Sequence, residues 1–219
     1  MLIFRSAALS DVGRVRSENE DRFLHDEAAG FYGVADGVGG LPGGAEAAQL
    51  AIDELTAALR AAPADREADV PAAFRALNES VRLLGQRMNP QTGIATTLTA
   101  GLVRAGVLRI GHVGDSRAYL SRKGVLKRIT EDHSLENEVR RRRAMGELVS
   151  YRESQRNALT RCIGQPTPLE VDVFSETLGA GDRVLFCTDG ITRLSNDATA
   201  LLNDSTAPAR CAPASSKCW

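Results

Sequence analysis

The sequence predicts a single α+β domain whose strands pair mostly in antiparallel fashion. Two observations support this prediction. Helical periodicity dominates residues 45–60 and 71–88, whereas residues 93–122 and 169–189 largely alternate apolar and polar side chains, as strands do. Few helices separate these strands, and parallel pairing would require a crossover helix between strand partners. A chain of 219 residues is long enough to bury one sizeable core.

The elements follow in a clear order along the chain. Residues 2–9 and 30–36 are predicted as the first two strands. The helix at 45–60 carries Ala48, Ile52, Leu55 and Leu59 on one face, and a second helix fits 71–88. Further strands are predicted at 93–103, 107–115, 117–122, 125–129, 169–178 and 182–189. A helix fits residues 134–145, and the last helix should begin near Ile191 and fade by about residue 203.

Composition excludes several classes of protein. The formal net charge is −1, so no overall field favours nucleic acid or an acidic membrane. The start of the chain lacks the apolar core of a signal peptide, and no stretch is long enough for a membrane span. The four cysteines form no C-x-x-C pair, which argues against a zinc site. We therefore expect a cytoplasmic protein that binds neither nucleic acid nor a membrane.

Three predicted strands end in an aspartate: Asp36, Asp115 and Asp189. Taken singly, each is more typical of a turn or a helix N-cap. Several carboxylates at the rim of one core repel each other unless a cation neutralises them, and hard divalent cations take such oxygen ligands. Glu20 and Asp21 add a further acidic pair. Gly37 lacks a Cβ, so its carbonyl can turn toward an ion beside Asp36.

These motifs resemble the metal-dependent protein serine/threonine phosphatases, the PPM or type 2C family, in their compact bacterial form. The resemblance spans roughly residues 5 to 203. Its pieces occur in the family's order and are SDVGRVRSENEDRF (10–23), GVADGVGG (33–40), GIATTLTAGLV (93–103), IGHVGDSRAYL (110–120), ITEDHS (129–134), LTRCIG (159–164) and GDRVLFCTDGIT (181–192). One such piece is weak evidence, whereas seven in order are strong.

The resemblance implies a sandwich of two antiparallel β-sheets flanked by helices, in α-β-β-α layers. It also implies hydrolysis of phosphoserine and phosphothreonine in proteins at a binuclear Mn²⁺ or Mg²⁺ centre, and a serine/threonine kinase acting on the same phosphoprotein substrates. By motif, Asp36 bridges both metals, the Gly37 carbonyl binds one, and Asp189 binds the other. Further implied site residues are Glu20 and Asp21 as acids in or around the metal shell, Asp115 as a ligand of a weak third metal, and Arg16 as the phosphate-binding arginine.

The chain also departs from the family. The resemblance implies a final strand with an Asp-Asn pair that completes the metal site, and residues such as Asp204 do not match it. We therefore expect a phosphatase domain at 1–204 that lacks the last strand, followed by a disordered or foreign tail at 205–219. The alternative function is an inactive domain of this fold that binds phosphoprotein without turnover. Arg193 stands where many relatives carry an acid or Asn that supports the third metal, and a guanidinium there would repel a cation.

Two further features leave alternatives open. His112 lies on an alternating strand face and is better explained by packing than by acid–base chemistry, whereas His133 is expected to be more exposed to the cleft. The arginine-rich run at 139–147 is read first as a solvated helix face. Its alternative role is to steer phosphopeptides toward the metals.

Overall fold

The computed structural model describes residues 3–39, 42–62, 69–166 and 168–194. The strands in these ranges are β1 (Asp21–Asp26), β2 (Phe31–Asp36), β3 (Leu98–Arg104), β4 (Val107–Val113), β5 (Arg117–Arg122), β6 (Val125–Arg128), β7 (Asp172–Thr177) and β8 (Arg183–Cys187). The helices are α1 (Gly44–Ala61), α2 (Val70–Met88), α3 (Leu135–Ala144) and α4 (Asp189–Leu194). A 3₁₀ turn covers Glu153–Gln155.

The strands form two antiparallel sheets. The larger has the order β1-β2-β3-β4-β7, and the smaller has the order β6-β5-β8. Every strand pair in both sheets is antiparallel. The predicted α+β class with antiparallel pairing is therefore confirmed. The Lys123-Gly124 turn between β5 and β6 has positive φ at both residues, 52° and 78°, as tight hairpins require.

Two apolar layers hold the sheets and helices together. Helices α1 and α2 cover the larger sheet, where Leu55 and Phe74 belong to the same buried cluster as Leu98 of β3. A second cluster lies between the sheets and joins Ile110 of β4 to Leu120 of β5. The layers therefore run from helices through the larger sheet to the smaller sheet, and α4 contacts β8 at its end.

The two long helices are amphipathic, as their periodicity predicts. Helix α2 begins where the Asp69 side chain accepts a hydrogen bond from the amide of Ala72 at 2.9 Å, with Pro71 in its first turn. Its buried residues include Phe74, Leu77 and Val81 on one stripe. Among the helices of the described ranges, none combines the length and apolar character needed to cross a bilayer.

The amino-terminal region differs from the sequence-based prediction. The strand expected at 2–9 is absent from the described part of that range, since residues 3–20 contain no helix or strand. The first strand is instead β1, whose sequence DRFLHD buries only Leu24. This edge strand escaped detection because an edge strand with one buried side chain has no clear alternation. Helix α4 begins at Asp189 rather than near Ile191. Its predicted continuation to 203 and the predicted tail at 205–219 lie outside the described residues.

Candidate metal centre

The first pair of acids in the site is set by the register of β1 and β2. In this register Asp21 lies directly opposite Asp36. Residues opposite each other in an antiparallel pair project to the same side of the sheet. The two carboxyl groups are close enough that each shifts the pKa of the other. Two ionised carboxylates at this distance repel each other, which favours a proton on one of them.

The sandwich brings two further acids to this pair. Strands β2 and β8 belong to different sheets but contact each other. The hydroxyl of Thr188, which follows β8, donates to Oδ2 of Asp21 at 2.9 Å. Asp189 comes next and begins α4. The negative charges of Asp189 and Asp115 both raise the pKa of Asp36. The structure therefore brings together Asp21, Asp36, Asp115 and Asp189, which the sequence predicted would meet.

The electrostatic state of the cluster follows from this crowding. Burial raises the pKa of Asp36 to about 8, and the charges of Asp21, Asp189 and Asp115 add to the effect. Burial also raises the pKa of Asp21, although the Thr188 hydroxyl opposes it. Asp36 consequently holds a proton at neutral pH when no cation is present. A divalent cation can replace that proton and remove the repulsion.

Two threonines that the sequence analysis did not single out hold the backbone of Asp36. The amide of Asp36 donates to Oγ1 of Thr97 at 3.0 Å, and the Thr97 amide donates to the Asp36 carbonyl at 2.8 Å. The Thr96 hydroxyl donates to the same carbonyl at 2.9 Å. Both threonines are buried. Adjacent polar side chains in an otherwise apolar strand were the available signal, because buried hydroxyls require partners.

Gly37 is required by close packing rather than by an unusual backbone angle. A methyl group at position 37 would lie 2.5 Å from the carbonyl carbon of Gly44, where α1 begins. The Gly37 amide donates to the carbonyl of Glu20 at 3.2 Å. The glycine therefore lets the end of β2 approach the start of α1 and the residue before β1.

Glu20 and Arg16 lie beside the cluster rather than within the aspartate group. Oε1 of Glu20 occupies the space next to Gly44, 2.7 Å from where a methyl group would stand. A negative charge there is favoured by the amino end of the α1 dipole. The Arg16 guanidinium lies 3.9 Å from Oε2 of Glu20 and close to Gly39, and its side chain is 65% exposed. Arg16 is therefore an accessible cation at the rim of the acidic site.

The donor set fits a hard divalent cation. The side-chain oxygens that could bind an ion are all carboxylate oxygens. Asp36 keeps a proton because burial and the negative charges of the carboxylates around it raise its pKa. Within the described ranges, no three His, Cys, Asp or Glu side chains are arranged to hold an ion by themselves. A divalent cation bound by these aspartates would therefore need further ligands, such as backbone oxygen and water.

The two histidines that the sequence analysis weighed, His112 and His133, are both buried, contrary to the prediction for His133. His112 is fully buried, and its Nε2 donates to the carbonyl of Glu131 at 2.9 Å. Burial lowers the pKa of His112 to about 4, which keeps it neutral and favours the packing explanation. His133 is only 6% exposed, and its ring centroid lies 4.6 Å from that of His112. The expectation that His133 faces the cleft is wrong because Gly114, Asp172 and the His112 ring pack around it.

The arginine-rich run lies on α3 and the loop after it. Arg140 pairs with Glu131 at 3.0 Å, and Arg142 pairs with Glu147 at 2.6 Å. The helix buries only Val139. This exposure matches the prediction of a solvated helix face, and the ion pairs are an addition that the sequence did not predict. The side chain of Arg193, which bears on the third metal, lies outside the described residues, as does Asp204.

The comparisons with known proteins point to one family. A family model described as "Protein phosphatase 2C" matches residues 14–214. The serine/threonine phosphatase stp of Listeria innocua is 30% identical over 197 residues, which cover 86% of this chain and 78% of that protein. The serine/threonine protein phosphatase PstP of Mycobacterium tuberculosis is 34% identical over 199 residues, which cover 90% of this chain and 38% of PstP.

Solved structures agree with the sequence matches. The phosphatase MsPP from Mycobacterium smegmatis, in complex with cacodylate, is 34% identical with a TM-score of 0.76, covering 94% of this chain and 86% of that one. The catalytic domain of PstP, in complex with two manganese ions, is 34% identical with a TM-score of 0.73, covering 89% of this chain and 81% of that one. The sandwich described above is therefore the fold of these phosphatases.

Proposed function

The chain belongs to the protein phosphatase 2C family, and from this premise we propose that it hydrolyses phosphoserine and phosphothreonine in proteins. The observation that carries the proposal is the protonated Asp36 and the three aspartates around it, Asp21, Asp115 and Asp189. Such a group is costly to maintain in a folded protein unless it serves to bind cations. A binuclear Mn²⁺ or Mg²⁺ centre, when bound, lowers the pKa of a water molecule, so that a nucleophile for phosphorus is available near neutral pH.

The proposed metal ligands divide by their position in the fold. Asp36 at the end of β2 would be a ligand of both ions, and Asp189 at the start of α4 would be a ligand of one of them. The Gly37 carbonyl is the backbone ligand next to Asp36. Asp21 and Glu20 complete the acidic surroundings, and Asp115 serves a weaker third ion. Thr97 and Thr188 orient the ligands through their hydrogen bonds to Asp36 and Asp21.

Arg16 is the proposed phosphate-binding residue. Its guanidinium lies at the rim, close to Gly39, and its side chain is largely exposed. A planar guanidinium can donate two parallel hydrogen bonds to phosphoryl oxygens and orient them for in-line attack. Its distance of 3.9 Å from Glu20 is too long for a strong ion pair, so the donors remain available to substrate.

The cellular setting follows from the reaction and from composition. A protein phosphatase of this family opposes a serine/threonine kinase that acts on the same substrates, and we infer such a kinase as the functional partner. We further infer a cytoplasmic signalling role without nucleic-acid or membrane partners, in keeping with the net charge of −1.

The decisive experiment measures release of phosphate from a phosphothreonine peptide in the presence of Mn²⁺. The wild-type chain should turn over, and Asp36→Asn should lose more than about 100-fold in kcat/KM, since even the outer partners of metal ligands cost 10–100-fold. Asp26→Asn is the matched control. Asp26 lies at the other end of β1, where Arg60 pairs with it at 2.6 Å, so its loss should leave turnover nearly unchanged.

The alternative of a domain that binds phosphoprotein without turnover has its own outcome. It requires no Mn²⁺-dependent phosphate release from the wild-type chain, together with retained binding of the phosphothreonine peptide in calorimetry. Activity that survives Asp36→Asn or excess chelator would overturn the proposed metal mechanism.

A further inference from the structure

A buried hydrogen-bond network behind the metal centre contains a residue that the proposed chemistry does not use. We propose that His133 is a positioning residue: it holds the turn at Gly114 and Asp115 so that the Asp115 carboxylate stays at the acidic cluster. The inference about the turn stands on the fold alone. Its consequence for turnover rests on the proposed phosphatase function.

His133 clamps the turn with two hydrogen bonds to one residue. Its amide donates to the carbonyl of Gly114 at 2.7 Å, and the Gly114 amide donates back to Nδ1 of the His133 ring at 3.1 Å. The first bond could be made by any residue at 133, but the second needs a ring nitrogen or an equivalent acceptor. The side chain of His133 thus supplies the only hydrogen-bond partner that the described structure gives to the Gly114 amide.

The turn needs this support because its backbone is unusual. Gly114 has a φ of +113°, and a methyl group there would lie 2.5 Å from Cβ of Thr97. The chain therefore reverses tightly against β3 immediately before Asp115. A small change in the Gly114 peptide plane would swing the Asp115 carboxylate away from Asp36, whose pKa it now raises.

The hydrogen bond to Gly114 also determines the tautomer of His133. A backbone amide can only donate, so Nδ1 is unprotonated and Nε2 carries the hydrogen. Nε2 donates to Oδ2 of Asp172 at 3.2 Å. The other oxygen of Asp172 accepts from Nη1 of Arg161 at 2.7 Å. Asp172 and Arg161 therefore hold the ring in the tautomer and orientation that Gly114 requires.

A second contact links Arg117, which follows the turn, to Asp132, the neighbour of His133. Arg117 binds Asp132 through two parallel bonds, Nε to Oδ1 at 2.9 Å and Nη2 to Oδ2 at 2.6 Å. Between these anchors, Oγ of Ser116 lies 2.8 Å from Oγ1 of Thr97, which also accepts from the Asp36 amide. His133 therefore holds the turn at Gly114, and Asp132 holds it at Arg117. Ser116 of the turn contacts Thr97, the threonine that supports Asp36.

The test exploits the different reach of two amide side chains. In His133→Asn, the carboxamide oxygen is attached to Cγ as Nδ1 is, so it can still accept from Gly114. In His133→Gln the amide extends to the region of Nε2 and leaves Gly114 without its acceptor. His133→Leu removes both side-chain hydrogen bonds, to Gly114 and to Asp172, but keeps a similar side-chain volume. The matched controls are His112→Asn and His112→Gln, because His112 is also buried and lies against the His133 ring, while its own ring nitrogens bond to Thr99 and Glu131.

The first readout is amide hydrogen exchange at Gly114, measured by NMR on metal-free full-length protein. Exchange should stay near the wild-type rate in His133→Asn and rise roughly tenfold in His133→Gln and His133→Leu, as loss of one buried hydrogen bond predicts. The His112 pair should show no such difference between Asn and Gln. Equal exchange in His133→Asn and His133→Gln overturns the proposal, because a purely packing role does not distinguish them.

The second readout asks whether His133 acts through Asp115. Mn²⁺ titration by calorimetry and kcat are compared for His133→Gln in the wild-type background and in the Asp115→Asn background. In the wild-type background we expect His133→Gln to lower Mn²⁺ affinity and kcat by about 2- to 10-fold. In the Asp115→Asn background it should lower neither any further. The same loss in both backgrounds overturns the proposal. If the wild type has no turnover, the proposed function fails, while exchange and Mn²⁺ binding still decide the role of His133.

Discussion

Asp21 and Asp36 lie opposite each other across β1 and β2, and each carboxyl group shifts the pKa of the other. The pair is partly withdrawn from water at the rim of the sandwich, where Asp189 and Asp115 add further negative charge. The negative charge of the cluster can therefore be reduced in two ways: by a proton on the pair, or by divalent cations that replace this proton.

The first prediction concerns the stability of the metal-free chain. The pKa of Asp36 is raised from 3.8 to about 8 in the folded state, so its contribution to stability is present at low pH and is lost as the pH rises through 8. Between pH 7 and 8 the two buried histidines stay neutral, because burial lowers their pKa values. Urea unfolding with chelator should show the free energy falling by at most about 1 kcal/mol per pH unit.

The variant Asp36→Asn is the control for that measurement. An amide at position 36 cannot ionise, so the decline in stability between pH 7 and 8.5 should flatten. The same slope in both proteins would show that another group is responsible.

The second prediction concerns proton release on metal binding. Because Asp36 is protonated at neutral pH, Mn²⁺ must displace that proton. Calorimetric titrations at pH 7 in two buffers with different heats of ionisation should therefore differ, and the difference should correspond to roughly one proton per chain. In Asp36→Asn the two buffers should give the same heat. Identical heats for the wild-type chain would contradict the protonated state of the pair.

The third prediction compares the two Asp-Gly pairs of the site. Gly37→Ala would insert a methyl group 2.5 Å from the Gly44 carbonyl carbon, whereas Gly190→Ala would meet nothing within 4 Å. Gly37→Ala should cost on the order of 1–3 kcal/mol in the free energy of unfolding, as overpacking does. Gly190→Ala lies in helix α4 and should be neutral or slightly stabilising. Equal effects in urea unfolding would contradict the close approach of β2 and α1.

The fourth prediction concerns Thr188, whose hydroxyl donates to Asp21 at 2.9 Å. Thr188→Val keeps the shape of the side chain but removes the donor, so the ionised form of Asp21 loses support. Mn²⁺ affinity should fall by about 10- to 100-fold, the usual cost of losing an outer partner of a metal ligand. Thr188→Ser should retain most of the affinity, because it keeps the hydroxyl. Equal losses for Val and Ser would indicate that packing, not the hydrogen bond, matters.

Local pattern was enough to identify most elements. The apolar stripes of α1 and α2 and the alternation in β3 to β5 are properties of neighbouring residues, so they can be read from the sequence. Asp36, Asp115 and Asp189 were identified for the same reason, since each follows a run of apolar residues. Strand β1 was missed because only Leu24 is buried in it, and His133 was misjudged because residues distant in the chain enclose it.

The sequence by itself determined which segments form helices and strands and which strands end in a carboxylate. Only the tertiary structure decided that Asp21 pairs with Asp36, that Thr188 supports Asp21 from 167 residues away, and that His133 holds Gly114. The physical reason is that periodicity depends on neighbouring residues and the burial of one face. Strand register and the contact between two sheets instead depend on how the whole core packs.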